Sequence, residues 1–416
     1  MRIIILNQFF YPDHSATSQL MTDLAESLVE RGVEVTALSG RGRYNGGTRL
    51  APREAHRGVK IERAWATGFG KRSVAGRLSD YLSFYLGAAW KLLTLPQHDI
   101  LMALTTPPLI GLLALLIGHA RGMKVVTLVQ DVYPDVAVAL GALQPGNPLT
   151  RLLDSLGRFV LRRSDRIIVL GERMRERIGA KIGSNCCARI DVIHNWADGA
   201  KIKPLGDGVT SFAGEHNLRD SFVVLFSGNL GRVNEFSTVL EAARLLADDP
   251  GIQFIFIGDG TRASEIETFI DNHNLANVRM LPYQPRELLP YSLAAGHAHL
   301  VTLADGLAGL SVPSKTYGIL AAGRPVLFVG DPRSDIARLV VENNCGASVA
   351  SGDSMRLAQI IREWALHRDR LAELGIAARR LFETRFDRPH AVNSYLKTFA
   401  QCLDAAPSHT ASIPAD

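Results

Sequence analysis

At 416 residues the chain is longer than one hydrophobic core usually supports, so two domains of roughly 200 residues are expected. With 47% hydrophobic and 21% charged residues it has the balance of a globular protein, which excludes a disordered or fibrous chain. Charge is unevenly placed: residues 1–200 carry 25 Lys and Arg against 17 Asp and Glu, net +8, and the remainder is net −3.

The chain opens directly on an apolar strand, Arg2 to Leu6, with no basic leader or small-residue cleavage site, so it does not read as a signal peptide. Leu20, Leu24 and Leu28 then repeat at helical spacing, and Gly32 stops that helix. Further strands are expected at Val33 to Ser39, Val59 to Ala64, Ile100 to Leu104, Val125 to Val129, Arg166 to Leu170 and Ile190 to Ile193. Between them, Lys71 to Arg77 and the apolar and aromatic residues from Leu78 to Leu93 form a basic amphipathic segment suited to a bilayer interface or to packing on a sheet. The longest apolar run, Pro107 to Gly118, is shorter than the ~20 residues of a membrane-spanning helix. Four cysteines, with neither disulfide nor zinc spacing, point to a reducing compartment. A cytoplasmic location is therefore expected, peripheral on the inner face of the cell membrane.

After a linker at Lys201 to Gly208 the alternation resumes, with strands at Phe222 to Phe226, Gln253 to Ile257, Val278 to Leu281, Ala298 to Thr302 and Val326 to Val329. Helices are expected near Glu235 to Ala247, Ala263 to Asn272, Arg286 to Ala295 and Pro313 to Ala322. Strand and helix in regular alternation make two Rossmann-like α/β domains with parallel sheets, and ligands of such sheets bind at the carboxyl ends of the strands. The domains are drawn at 1–203 and 204–385, with a helix about 386–403 packing back on the first and a flexible tail at 405–416.

The loops at those strand ends hold the candidate chemistry. Ser227, Gly228, Asn229, Leu230, Gly231 and Arg232 follow the first strand of the second half, where glycines let a backbone approach phosphate and Arg232 offers a fork of donors. Gly258, Asp259 and Gly260 form a second glycine turn, whose likeness to a dinucleotide fingerprint is weak beside a plain structural turn. The run Ser311 to Val326 places Pro313 in the first turn of a helix with Ser311 or Val312 as its cap. Amide groups of Ser314, Lys315 and Thr316 and the Lys315 ammonium would then face a diphosphate; the alternative is a surface helix with a solvent-facing lysine. In the first half, Gln8 to Thr17 lacks a G-x-G-x-x-G pattern, which argues against a nicotinamide enzyme. Asp131, Tyr133 and Asp135 set two carboxylates and a phenol beyond a strand, where turn formation is the plainer role. No nucleic-acid motif accompanies the basic half, whose charge suits an anionic membrane surface or a phosphate-bearing acceptor.

In the order and spacing of these segments the chain resembles the family-four glycosyltransferases, and within them the bacterial colanic-acid-type polysaccharide transferases. The resemblance covers nearly the whole chain: Asn7 to Pro12, Gln130 to Asp135, Ile193 to Asp198, Ser227 to Gly231, Gly258 to Gly260, Leu281 to Gln284 and Ala321 to Val326. It implies a GT-B enzyme that moves a sugar from a nucleoside-diphosphate donor to a saccharide or polyprenyl-linked acceptor, normally with retention and without a metal or other cofactor. It further implies donor contacts at Ser227, Gly228, Asn229, Gly258, Asp259, Gly260, Tyr283, Gln284, Ser314, Thr316 and Gly318, acceptor contacts at Tyr11, Ser15, Ala16, Tyr133 and Asp135, and catalytic roles for Asp131, Lys315 and Arg232. The family's pair of glutamates, spaced by seven residues, is replaced here by Leu310 and Gly318, and its glycine-loop Arg and Lys by Asn229 and Asn234. A sugar-nucleotide epimerase of the same fold and a non-catalytic nucleotide-sugar-binding protein are the alternatives.

Overall fold

The computed structural model describes residues 1–43, 48–69, 74–206 and 211–404. Lys71 to Ser73, the end of the expected linker and the expected tail lie outside the described residues.

Eight strands form the first sheet: β1 (Arg2–Leu6), β2 (Glu34–Gly40), β3 (Arg53–His56), β4 (Val59–Ala64), β5 (Ile100–Leu104), β6 (Lys124–Leu128), β7 (Arg166–Val169) and β8 (Ile190–Val192). Their order is β3-β4-β2-β1-β5-β6-β7-β8, parallel except for the β3–β4 hairpin. The second sheet holds β9 (Phe222–Ser227), β10 (Ile252–Ile257), β11 (Val278–Leu281), β12 (Ala298–Thr302), β13 (Val326–Val329) and β14 (Gly346–Val349), in the order β11-β10-β9-β12-β13-β14, all parallel. Two of the four edge strands, β3 and β14, escape the sequence pattern: Arg53–His56 is charged and Gly346–Val349 is built of small residues, so neither carries the apolar run that the other two edges, β8 and β11, in part retain. Arg57 and Gly58, both at positive φ (46° and 83°), make the tight turn of the hairpin.

The helix Ala16–Glu30 buries Leu20, Leu24 and Leu28, and Gly32, at φ 80°, closes it with an N–H bond to the carbonyl of Val29. On the opposite face of the first sheet, helices Val74–Thr94, Ile110–Ala120 and Pro148–Arg163 share a core built from Phe84, Leu92, Ala114 and Val160. The last helix, Arg388–Asp404, returns to the first domain: Tyr395 meets Trp196 edge to face at 6.0 Å, and Arg31 donates to Asn393. One buried apolar cluster runs from Ile3 and Leu24 through Trp196 to Tyr317 and Phe386, so the two sheets share a continuous core. Chain order reverses between β1 and β5 in one sheet and between β9 and β12 in the other. Those switch points open crevices at the carboxyl ends.

Candidate active site

At the second switch point two glycine turns lock into one another. Gly228, at φ 138°, donates its N–H to Ile257 O at 2.9 Å, and Gly258, at φ 144°, donates to Leu281 O at 2.9 Å. A Cβ on Gly258 would lie 2.0 Å from the carbonyl oxygen of Gly228, so no side chain fits there. Leu230 N–H bonds to Asp259 O at 2.9 Å, and a Cβ on Gly260 would meet the Leu230 backbone at 2.5 Å. Asn234, where the family pattern has lysine, is a buried clasp: its Nδ2 donates to Asn229 O at 3.0 Å and to Gly231 O at 3.2 Å, and its Oδ1 accepts from Thr302 at 3.2 Å. Arg232 is exposed on the same loop, and Ser227 is half-buried at the strand end. Beyond β11, half-exposed Tyr283 reaches Asp259 O at 3.3 Å and Gln284 Nε2 donates to Pro282 O at 2.9 Å.

Lys315 closes this cluster in an arrangement that differs from the expected one. The helix spans Lys315–Ala321, two residues after Pro313, and Ser314 at its N-cap makes no side-chain capping bond. Ser311 caps nothing and pairs instead with the first domain. Thr316 is fully buried, its hydroxyl donating to Pro313 O at 3.0 Å. The Lys315 side chain folds inward: its Nζ lies 3.3 Å from the ring centroid of Phe226 and 3.4 Å from where a Cβ on Gly228 would sit. That Nζ is buried without a hydrogen-bond acceptor, and the loss of water pushes its pKa well below the ordinary lysine value. Gly318 faces Leu293 and Ile202, at 3.8 and 4.0 Å from a built Cβ, and Leu310 is buried in the shared core. The two positions of the family's glutamates are therefore apolar here.

Asp131 reaches the same loop from the other domain. It forms an isolated antiparallel bridge with Ser311, four residues before Lys315, and Val132 N–H bonds to Leu310 O at 2.9 Å. Burial raises the pKa of the Asp131 carboxyl, against a smaller lowering by the Ser311 hydroxyl bonded to it. The Thr105 hydroxyl accepts from the N–H groups of Gln130 at 3.2 Å and Asp131 at 3.4 Å, and Gln8 N–H bonds to Thr106 O at 3.2 Å, which ties the loops after β1, β5 and β6 together. Asp135 is drawn aside by an ion pair with Lys181, which also holds Asp154 at 2.7 Å; Tyr133 lies between Asp131 and Asp135 in sequence. Tyr11 stacks on His56 with ring centroids 3.6 Å apart, Ser15 is the N-cap of its helix, and Ala16 is exposed at that helix's start.

Two further cross-domain bonds flank this seam. Arg286 pairs with Asp23 at 3.0 Å, and the Asp335 carboxylate accepts from Arg173 N–H at 3.0 Å. A Cβ on Gly171 would come within 2.6 Å of that carboxylate, so a glycine is needed where Asp335 enters. Sequence reasoning missed Asn234 and Thr105 as loop fasteners and gave Ser311 the wrong partner. Polar residues in loops carry no periodicity to reveal them. Among the described residues no group of three or more His, Cys, Asp or Glu side chains is placed to hold a metal ion.

Residues 17–196 match the Glycosyl transferase 4-like domain family and residues 210–381 match the Glycosyl transferases group 1 family. The chain belongs to the family-four glycosyltransferases of GT-B fold. It is 31% identical over 267 residues to the probable glycosyltransferase WbjE of Pseudomonas aeruginosa, a match that takes in 64% of this chain and 66% of that protein. It is 26% identical over 228 residues to the putative colanic acid biosynthesis glycosyl transferase WcaI of Escherichia coli (strain K12), covering 54% and 55% of the two chains. The chain thus spans just under two thirds of one curated relative and just over half of the other. Among solved structures it superposes on sucrose-phosphate synthase from Thermosynechococcus elongatus with a TM-score of 0.80 at 14% identity, over 98% of this chain and 100% of that one. Anabaena HepE in complex with UDP-glucose gives 0.75 at 16% identity, over 96% and 100%. These two likenesses establish the fold.

Proposed function

We propose that the chain transfers a sugar of the hexose type from a nucleoside-diphosphate donor to a saccharide or polyprenyl-linked acceptor in bacterial surface polysaccharide synthesis, with retention and without a metal. The observation that carries this reading is the buried Lys315 amine, which lacks an acceptor and lies against Gly228 where the two glycine turns meet. A buried cationic donor without a partner is costly, and an arriving diphosphate supplies the missing charge. As the sugar–phosphate bond breaks, negative charge grows on the leaving diphosphate. A fixed ammonium there, with Arg232 entering from the glycine loop, favours the transition state over the ground state. Asp131 then orients the acceptor hydroxyl, or takes its proton, from the first-domain side of the seam. The UDP-glucose bound by HepE and the polysaccharide naming of WcaI agree with this donor class and this setting.

The test is release of nucleoside diphosphate from a donor chosen by a thermal-shift screen, since the right ligand raises stability with the logarithm of its concentration. Release that depends on acceptor is expected, and Asp131→Asn should abolish it while leaving donor affinity nearly unchanged. Interconversion of the donor without acceptor would identify an epimerase. Tight nucleotide binding with no turnover would identify a binding protein.

A further inference from the structure

Helix Ala16–Glu30 carries a buried carboxylate, Asp23, on the side of the first domain that meets the second. A charge so placed is costly unless a cation accompanies it. Burial raises the pKa of Asp23, and the positive charges of Arg286, Lys201 and Arg388 pull it back. Two of those three cations are committed elsewhere, since Lys201 and Arg388 both pair with Asp198, at 3.3 and 3.5 Å. Among the described residues, the hydrogen bonds that reach the Asp23 carboxylate come from Arg286, whose Nη2 stands 3.0 Å from Oδ2 and 3.3 Å from Oδ1. The first domain thus depends on the second for the partner of this charge.

Arg286 opens the turn Arg286–Leu288 ahead of helix Leu289–Ala295, and Pro282, Tyr283, Gln284 and Pro285 run into it from the end of β11. Two prolines in four residues fix two φ angles, so a hold on Arg286 is passed on to Tyr283 and Gln284 instead of being absorbed between. At its other end the loop is tied to the second glycine turn, by the bond from Gly258 N–H to Leu281 O and by the Tyr283 hydroxyl on Asp259 O. β11 is two strands from β9. At ~4.8 Å per strand, Tyr283 and Gln284 stand roughly 10 Å from the Gly228 turn. A nucleotide whose diphosphate rests between Gly228 and Lys315 can extend its nucleoside along the strand ends in this direction, away from the Lys315 helix that follows β12.

We propose that Arg286 is a positioning residue: by pairing with Asp23 it clamps the loop 282–285 of the second domain against the first, and so holds the groups that grip the base of the donor. The proposal rests on the nucleoside-diphosphate reading of the donor and adds to it a share for the first domain in donor recognition. An ion pair exposed on both sides would contribute little and hold nothing in place. Here the Asp23 side chain is 9% exposed and the Arg286 side chain 41%, so water reaches the pair from the guanidinium side, and removing Arg286 strands a charge in the seam.

Hydrogen exchange on the whole ligand-free protein tests the clamp without any substrate. In Asp23→Ala the amides of Tyr283, Gln284, Arg286, Glu287 and Leu288 should exchange at least about tenfold faster, although the substitution lies in the other domain, while those of β9 and β12 keep their wild-type rates. Calorimetry then uses UDP, GDP and pyrophosphate as probes. Asp23→Ala and Arg286→Gln should each weaken the nucleotide that the wild type binds by at least about tenfold, and the double variant should weaken it no further. Pyrophosphate, which has no base, should bind all four proteins within about twofold, and Arg286→Lys should retain most of the nucleotide affinity. In steady state each single variant should raise KM for the donor found by screening about tenfold and change turnover less than about threefold, a split that general destabilisation does not give. Unchanged exchange in Asp23→Ala overturns the clamp, as do equal weakening of nucleotide and pyrophosphate or additive losses in the double variant. Faster exchange in a protein that binds neither nucleotide upholds the clamp and overturns the donor reading.

Discussion

The Nζ of Lys315 lies 3.3 Å from the ring centroid of Phe226, buried and with no hydrogen-bond acceptor. The ring face returns part of the hydration lost by the ammonium, about 2 kcal/mol when desolvated, but fills none of its three donor positions. The structure therefore holds the amine below its ordinary pKa. Between that lowered value and the unfolded-chain value the unfolded state binds the extra proton, so stability rises with pH across this window and Lys315 detracts from it at neutral pH.

Lys315→Met keeps the approximate volume and removes the unpartnered amine. The ligand-free variant should melt higher than the wild type, by about 2 °C or more for a gain of ~1–2 kcal/mol. Scanning calorimetry reads this directly, and a melting point below wild type contradicts the burial argument. A higher melting point together with lost turnover would set function against stability at this residue, as at many sites built for a ligand.

Donor binding should be linked to a proton. A diphosphate beside Lys315 raises the amine's pKa above its ligand-free value, so the bound state holds a proton that the free state lacks. The dissociation constant of the donor found by screening should rise as pH climbs from the ligand-free to the bound pKa, by at most about tenfold per pH unit. Calorimetry in buffers of different ionisation enthalpy should count the proton taken up. Loss of the slope in Lys315→Met assigns it to this residue, and an unchanged slope there assigns it elsewhere.

Two glycines should behave oppositely. Gly258→Ala forces a Cβ to 2.0 Å from the Gly228 carbonyl at a φ of 144° and should destabilise the second domain by about 3 kcal/mol or more. Gly318→Ala meets nothing closer than 3.8 Å inside the helix Lys315–Ala321 and should gain about 0.5–1 kcal/mol. Thermal melts of both variants check the pair. A tolerated Gly258→Ala would mean that the two glycine turns do not interlock.

Two-domain α/β architecture was legible because central parallel strands must be apolar on both faces, and the runs at Ile100–Leu104 and Ala298–Thr302 announce themselves. The edge strands Arg53–His56 and Gly346–Val349 were not, since charged residues in one and small residues in the other stand where an apolar run would mark a strand. Strand ends and their glycines were visible for the same reason as the strands. What a loop side chain bonds to was not visible. Ser311 reads as a helix cap and instead joins Asp131 across the seam, and Asn234 reads as a lost phosphate ligand and instead clasps its own loop. The direction of Lys315 was equally hidden, because helical spacing does not say whether a first-turn lysine folds outward or back over Phe226.

The central claim is that the donor's diphosphate leaves against Lys315, and steady-state kinetics of Lys315→Ala with the donor found by screening test it most directly. Loss of one preorganised donor to developing negative charge typically costs about 3 kcal/mol, so the turnover number should fall about a hundredfold, more than donor affinity falls, in a protein that remains folded. If Lys315→Ala keeps more than about half of the wild-type turnover, an effect under ~0.5 kcal/mol, the diphosphate does not leave against this residue.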